Sequence, residues 1–159
     1  MKIIIVSDSH GDDFAVETII EKNPDADLFI HLGDGYRDFV NVKSKNPKMS
    51  MVLVKGNTDY SCFEPEDRVM VLEEVRFFIT HGHNYLVKSG LEKLMKRAKK
   101  VNADIVLFGH THVRMDTEKD GVILINPGSC ARDMDDCMGY AVVNVDKGKI
   151  DRDMVKIKP

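Results

Sequence analysis

The chain has 159 residues and a formal net charge of −3, with no Trp and three Cys. That length suits one domain over residues 1–159, able to bury about 70% of its unfolded-state surface. A mildly acidic chain without Trp offers neither the basic channel nor the stacking platform of a nucleic-acid binder, so nucleic acid is not an expected partner. No apolar run is long enough to span a membrane, and the apolar residues before Ser7 are too few for a signal-peptide core. A cytoplasmic location is therefore expected. Cys62, Cys130 and Cys137 are odd in number and lack C-x-x-C spacing, which reads as reduced thiols rather than a disulfide framework.

Ile3-Ile4-Ile5-Val6 reads as a short strand buried on both faces, ending in Ser7-Asp8-Ser9-His10-Gly11. Asp12 or Asp13 can cap a helix to about Lys22, with Phe14, Ile19 and Ile20 expected as its buried side. A second strand runs from Leu28 to about His31, a short helix from Tyr36 to Val42, and a third strand from Met51 to Val54. This β-α-β-α-β alternation is the signature of parallel strands joined by helical crossovers. Val69–Leu72 and Val75–Thr80, around Glu73-Glu74, then read as a hairpin. The spacing of Leu91, Leu94, Met95, Ala98 and Val101 predicts a helix from about Lys88 to Val101, with a lysine-rich solvated face. After a strand at Ile105–Phe108, hairpins are expected around Lys119-Asp120-Gly121 and Lys147-Gly148. The fold class is α/β: two mixed β-sheets stacked face to face with helices outside.

The ends of these strands repeat one another. Asp8-x-His10, Gly33-Asp34-Gly35, Gly56-Asn57-Thr58-Asp59, His81-Gly82-His83 and Gly109-His110-Thr111-His112 each follow an apolar run. An Asp and a His after one strand also occur as a helix cap and a surface imidazole. Five strand ends that all carry Asp, Asn or His beside Gly point instead to one site built from the whole sheet, because ligands of open α/β folds bind at the carboxyl ends of strands. Carboxylate oxygen with imidazole nitrogen suits a divalent transition metal.

In their order these motifs resemble the calcineurin-like metallophosphoesterases, over Asp8 to His112. The short length and the late Asn126-Pro127-Gly128-Ser129 are most similar to the small prokaryotic phosphodiesterases of the YfcE type. The resemblance implies a two-sheet sandwich, also shared by retromer scaffold subunits, and two divalent ions. Mn²⁺ is favoured, with Ni²⁺, Fe²⁺, Zn²⁺ or Mg²⁺ as alternatives. It would place Asp8, His10 and His112 on one ion, Asn57, His81 and His110 on the other, and Asp34 between them. Two divalent ions against two carboxylates and a bridging hydroxide leave a net positive charge suited to a small anionic phosphoester. The implied reaction is in-line attack by that hydroxide on a phosphodiester in preference to a monoester. A retromer-like scaffold and a metal-dependent nuclease or nucleotide hydrolase are the rival readings.

Asp34, Asn57, Thr58 and Asp59 are the candidate catalytic residues. Many relatives have His after the Asn of the Gly-Asn motif, as general acid; here Thr58 and Asp59 follow. A threonine hydroxyl is a poor proton donor, and Asp59 could serve only if it points inward with a raised pKa. His31 is expected as a structural or supporting residue, His83 to orient a ligand or contact phosphate, and Arg132 as a phosphate contact. Asn126–Ser129 is a turn or a support for His112 or the substrate. No cap domain is visible, so the site should be open. Phe63 and the Val69–Leu72 edge suggest a homo-oligomer, most simply a twofold dimer.

Overall fold

The computed structural model describes residues 1–131 and 138–157. Its first sheet orders β10-β9-β1-β2-β3, formed by Lys149–Lys156, Gly139–Asp146, Lys2–Val6, Leu28–His31 and Met51–Leu53. The second orders β4-β5-β6-β8-β7, formed by Asp67–Leu72, Val75–Thr80, Ile105–Leu107, Val122–Asn126 and Met115–Lys119. β1, β2 and β3 are mutually parallel, as are β5, β6 and β8, and the antiparallel strands lie at the flanks.

The alternation of side chains along β1 shows why the layers stack as they do. Ile3 and Ile5 enter the core between the sheets, with Ile30, Phe77, Ile79, Ile105, Leu107 and Val143. Ile4 and Val6 point the other way, toward Val16, Ile19, Phe39 and Val42 of helices α1 (Asp13–Lys22) and α2 (Tyr36–Lys45). On the far side Phe78, Val106 and Leu124 pack on Leu94, Met95 and Ala98 of α3 (Glu92–Lys100). An unbroken run of apolar residues is thus needed on a strand covered from both sides, and each fully buried Ile or Phe stabilises by about 1.5–3 kcal/mol.

The three expected hairpins form with two-residue turns. Glu73-Glu74, Asp120-Gly121 and Lys147-Gly148 all have positive φ at both positions, the backbone that matches the twist of the flanking strands. Lys119 belongs to β7 rather than to the turn.

Three expectations are corrected. Phe14 is 74% exposed, and the buried stripe of α1 is Val16, Ile19 and Ile20. A stripe at positions 16, 19 and 20 places residue 14 on the opposite side of a 3.6-residue turn. α2 continues to Lys45, beyond Val42. α3 begins at Glu92 rather than Lys88, because Gly90 takes φ +148°, outside the helical range. Its lysine-rich face is solvated as expected, with Lys99 paired to Asp120 and Arg97 over the Phe78 ring. Among the described residues β4 pairs only with β5, and Val69 and Val71 on it and Phe63 before it are exposed, the features on which the expected oligomer rests. Cys62 and Cys130 are buried free thiols; Cys137 lies outside the described residues. No helix among the described residues is long and apolar enough to cross a membrane.

Candidate metal centre

The strands end and the backbone turns at once. Asp8, His10, Asp34, His110 and His112 all have positive φ, five of the eleven non-glycine residues that do so among the described residues. For residues other than Gly this conformation costs roughly 1–2 kcal/mol each and gathers at functional sites. Backbone bonds lock the loops together: Asp8 N–H to Gly33 O, His10 N–H to Asp34 O and Gly109 N–H to His81 O, each 3.0 Å. Glycine is required where loops touch. A Cβ on Gly56 would stand 2.2 Å from Asp34 Oδ1, and one on Gly109 would stand 2.0 Å from Ser7 Oγ.

Two groups of ligand atoms result. Asp8, His10 and His112 form one, and Asp34, His81 and His110 the other, with the atoms of each within 4.8 Å of one another. Asp8 Oδ2 accepts from the Ser7 hydroxyl at 2.5 Å and the His110 N–H at 3.1 Å. Its Oδ1 is buried without a hydrogen-bonding donor of good geometry, while the Nε2 atoms of His112, His10 and His81 crowd it at 3.1, 3.7 and 3.9 Å. His10 Nε2 and His112 Nε2 also face each other at 3.2 Å. Lone pairs converging on a buried carboxylate oxygen are what a cation would satisfy, so the residues fit a divalent metal.

Asp34 divides its oxygens in the same way. Oδ1 accepts from the Thr58 N–H at 2.8 Å. Oδ2 lies 3.5 Å from His81 Nε2 in one group and 3.9 Å from His10 Nε2 in the other, the position of a shared ligand. Asn57 Oδ1 stands 3.1 Å from His81 Nε2. His81 Nδ1 donates to Leu32 O at 2.7 Å, so that Nε2 points toward the site and offers its lone pair there once it loses its proton.

Charge follows this geometry. Burial raises the pKa of Asp8, but the close approach of His112 Nε2 to Oδ1, the charge of His81 and the Ser7 hydroxyl outweigh it and lower the pKa. For Asp34, burial is likewise overcome by His81 and Thr58, which hold the carboxyl far below its usual range. Burial opposes protonation of His81, yet its hydrogen bond to Asp34 and the charges of Asp8 and Asp34 raise its pKa. His112 is raised chiefly by Asp8, whose Oδ1 lies 3.1 Å from its Nε2. His110, less favoured by the carboxylates, is pushed down to about 4 by burial and by the charges of His81 and Lys88. The carboxylates draw positive charge into the cluster.

Beneath these loops runs a buried relay of side chains. Gly33 N–H donates to His31 Nδ1 at 3.1 Å, so Nε2 carries the proton and donates to Ser9 Oγ at 3.0 Å. The Ser9 hydroxyl donates to Asp38 Oδ2 at 2.5 Å, and Gly11 N–H donates to the same oxygen at 2.9 Å. His31 therefore supports the loops of Asp8, His10 and Asp34 and is not itself in either group. Burial holds its pKa down to about 4, against the opposing pull of Asp59, Asp8 and Asp38. Between the ordinary 6.5 and about 4 the unfolded chain binds a proton that folded His31 refuses. Stability from this residue is full above that window and lost as pH falls through it, by about 3 kcal/mol. Urea midpoints at pH 7 and 4.5 should show a smaller acid loss for His31→Gln than for the wild type; equal losses would contradict it.

The remaining candidates separate by what they touch. Thr58 gives its backbone N–H to Asp34. Asp59 is buried and accepts from four backbone N–H groups, those of Asp34, Gly35, Tyr36 and Gly56, at 2.8–3.0 Å. Both its oxygens are occupied in tying the second motif to the third and in capping α2, an arrangement for positioning rather than for proton donation. His83 stands beside the second group, its ring 5.4 Å from His81 and 6.1 Å from His110. Asn126 donates to Gly109 O and Thr111 Oγ1, and Ser129 donates to Asp8 O, so the late turn braces the first and last motifs. Arg132 lies outside the described residues. Ser7, Ser9 and Asp38 were not legible as site residues: two serines flanking an Asp, and an acid in the first turn of a helix, have commonplace uses.

The calcineurin-like phosphoesterase superfamily domain matches residues 1–148. A phosphodiesterase of Methanocaldococcus jannaschii is 34% identical over 146 residues, covering 82% of this chain and 84% of that protein. A crystal structure of a predicted phosphoesterase from Streptococcus pneumoniae superposes with a TM-score of 0.83 at 30% identity, covering 98% of this chain and 88% of the other. Vacuolar Protein Sorting 29 of Cryptosporidium parvum superposes with a TM-score of 0.76 at 18% identity, over 99% and 98% of the two chains, and shows the fold alone. With the superfamily domain extending over nearly its whole length, the chain belongs to the calcineurin-like phosphoesterases.

Proposed function

We propose that the protein is a phosphodiesterase that uses two divalent metal ions, Mn²⁺ by preference, on a small anionic phosphoester. The observation that carries this reading is the pair of carboxylate oxygens, Asp8 Oδ1 and Asp34 Oδ2, left facing imidazole Nε2 atoms. Asp8, His10 and His112 would hold one ion, and Asn57, His81 and His110 the other, with Asp34 shared. Such ions supply Lewis acidity, neutralising phosphoryl charge and making water acidic enough to serve as a nucleophile near neutral pH. The chain's own residues fix the donors in advance: Leu32 O orients His81, and Thr58 and Ser7 each leave one carboxylate oxygen free for the centre.

The diester preference is supported by the phosphodiesterase relative. A binding scaffold would need neither the five strained backbone positions nor the buried, charge-coupled ligands. Stripping the purified protein with a chelator and adding back single metals tests the reading on bis-aryl phosphodiesters and aryl monoesters. Activity should vanish on stripping, return most strongly with Mn²⁺, and favour the diester in kcat/KM. Full activity after stripping, or none with any metal, would overturn it.

A further inference from the structure

Three of the four sheet edges are closed to further pairing. β3 has only three residues; beside it Leu53 O accepts from Arg68 Nε at 3.1 Å, and Lys55 N–H donates to Pro65 O at 2.9 Å. β10 exposes the charges of Lys149, Asp151 and Asp153, and β7 those of Glu118 and Lys119. Arg152 of β10 also donates to Asp116 of β7 at 2.6 Å, which ties those two edges together. Charges and covers of this kind keep a soluble sheet from recruiting another strand.

β4 lacks these devices. Its two charged side chains are engaged elsewhere, Arg68 with Leu53 O of the first sheet and Asp67 with the Tyr85 hydroxyl. The turn Glu73-Glu74 joins β4 to β5, so Leu72 and Val75 beside it exchange both backbone bonds and the pattern then alternates. Leu72, Met70 and Arg68 thus bond to β5, whereas Val71, Val69 and Asp67 turn their N–H and C=O outward. No other backbone group among the described residues meets them. The outer face is also uncovered at this edge. α3 packs on Phe78 of β5, Val106 of β6 and Leu124 of β8, and leaves Val69 and Val71 42% and 55% exposed.

We propose that β4 seats a second copy of this chain, whose own β4 adds antiparallel across a twofold axis so that the two five-stranded sheets become one. A twofold contact needs a self-complementary patch, and this strand is one. With the axis at Met70, Val69 pairs with Val71 of the partner subunit and Val71 with Val69 of the partner subunit. That register meets the outward backbone groups of both valines and gathers the four exposed side chains on one face. The neighbouring registers set a valine against Asp67 or Glu73 instead. An interface confined to one strand edge belongs to the small, transient class, so the dimer is weak, with a dissociation constant in the micromolar range. Asp67 faces Glu73 of the partner subunit at each end, and salt that screens this repulsion favours pairing. The proposal is independent of the reaction performed at the metal centre.

Sedimentation equilibrium at roughly 5 to 500 µM tests it. The mean mass should climb from 18.0 kDa toward twice that value, and climb further as salt is raised. Val71→Lys changes an exposed side chain and should weaken association at least about tenfold with unchanged circular dichroism. Met70→Cys tests the register separately. It places a thiol on the axis, where facing Cα atoms of a non-hydrogen-bonded pair stand about 4.5 Å apart, within disulfide reach. Under mild oxidation it should cross-link about tenfold faster than Thr117→Cys on the exposed β7 edge. A wild type of 18.0 kDa at every concentration would overturn the proposal and leave the edge to an extended strand of another protein. A dimer that Val71→Lys leaves intact, or equal cross-linking of the two cysteine variants, would overturn it as well.

Discussion

Asp34→Asn is expected to lower kcat/KM more than any other single change among the seven candidate ligands. It should exceed the roughly 100-fold that loss of an outer-shell partner costs at a metal site. The reason is the position of Oδ2, 3.5 Å from His81 and 3.9 Å from His10, where it would serve both groups in the proposed centre. An amide keeps the side chain's size and can still accept from Thr58 N–H. It removes the negative charge that two adjacent cations need between them. His10→Ala, by contrast, leaves the second group of Asp34, His81 and His110 whole. Metal content should therefore fall below two ions per chain in Asp34→Asn, while circular dichroism stays that of the folded protein. Two ions retained, with milder kinetics than His10→Ala, would remove the shared-ligand assignment.

The second large effect concerns the leaving group. A general acid contributes about 10²–10⁴ in rate, most where the departing alkoxide is strongly basic. The third motif offers no good proton donor, because a threonine hydroxyl at Thr58 is too weak an acid and Asp59 is occupied by four backbone N–H groups. The leaving group must depart largely unprotonated. Aryl diesters should thus be cleaved well and simple alkyl diesters about 10²-fold or more slower, with log rate falling steeply as leaving-group pKa rises. Thr58→His should flatten that line by accelerating poor leaving groups more than good ones. A shallow line in the wild type that only Asp59→Asn steepens would make Asp59 the acid after all.

The sheet and the convergence of the candidate ligands were legible because both are written in local pattern. A buried strand needs consecutive β-branched and aromatic residues, as in Ile3–Val6 and Phe77–Ile79, and a ligand at its end must be Asp, Asn or His next to a residue that can turn. Boundaries were less legible. Phe14 is apolar by type but lies off the stripe of Val16, Ile19 and Ile20, and a ten-residue helix has too few turns to show which stripe wins. The support of the site was invisible for a different reason. His31 and Asp38 lie 22 and 29 residues from Ser9 along the chain, and only the packing of α2 beside β1 and β2 brings the three together. Asp59 looked like a spare acid until the backbone amides of two loops were seen to meet on it.

The most direct test of the central claim is a metal titration of chelator-stripped protein with Mn²⁺, followed by calorimetry and checked by elemental analysis. Two ions per chain are predicted, with the Asp8–His10–His112 group lost selectively in His112→Ala and the Asp34–His81–His110 group lost selectively in His110→Ala. A single ion in the wild type, or two ions unaffected by either substitution, would contradict a centre built from these two groups.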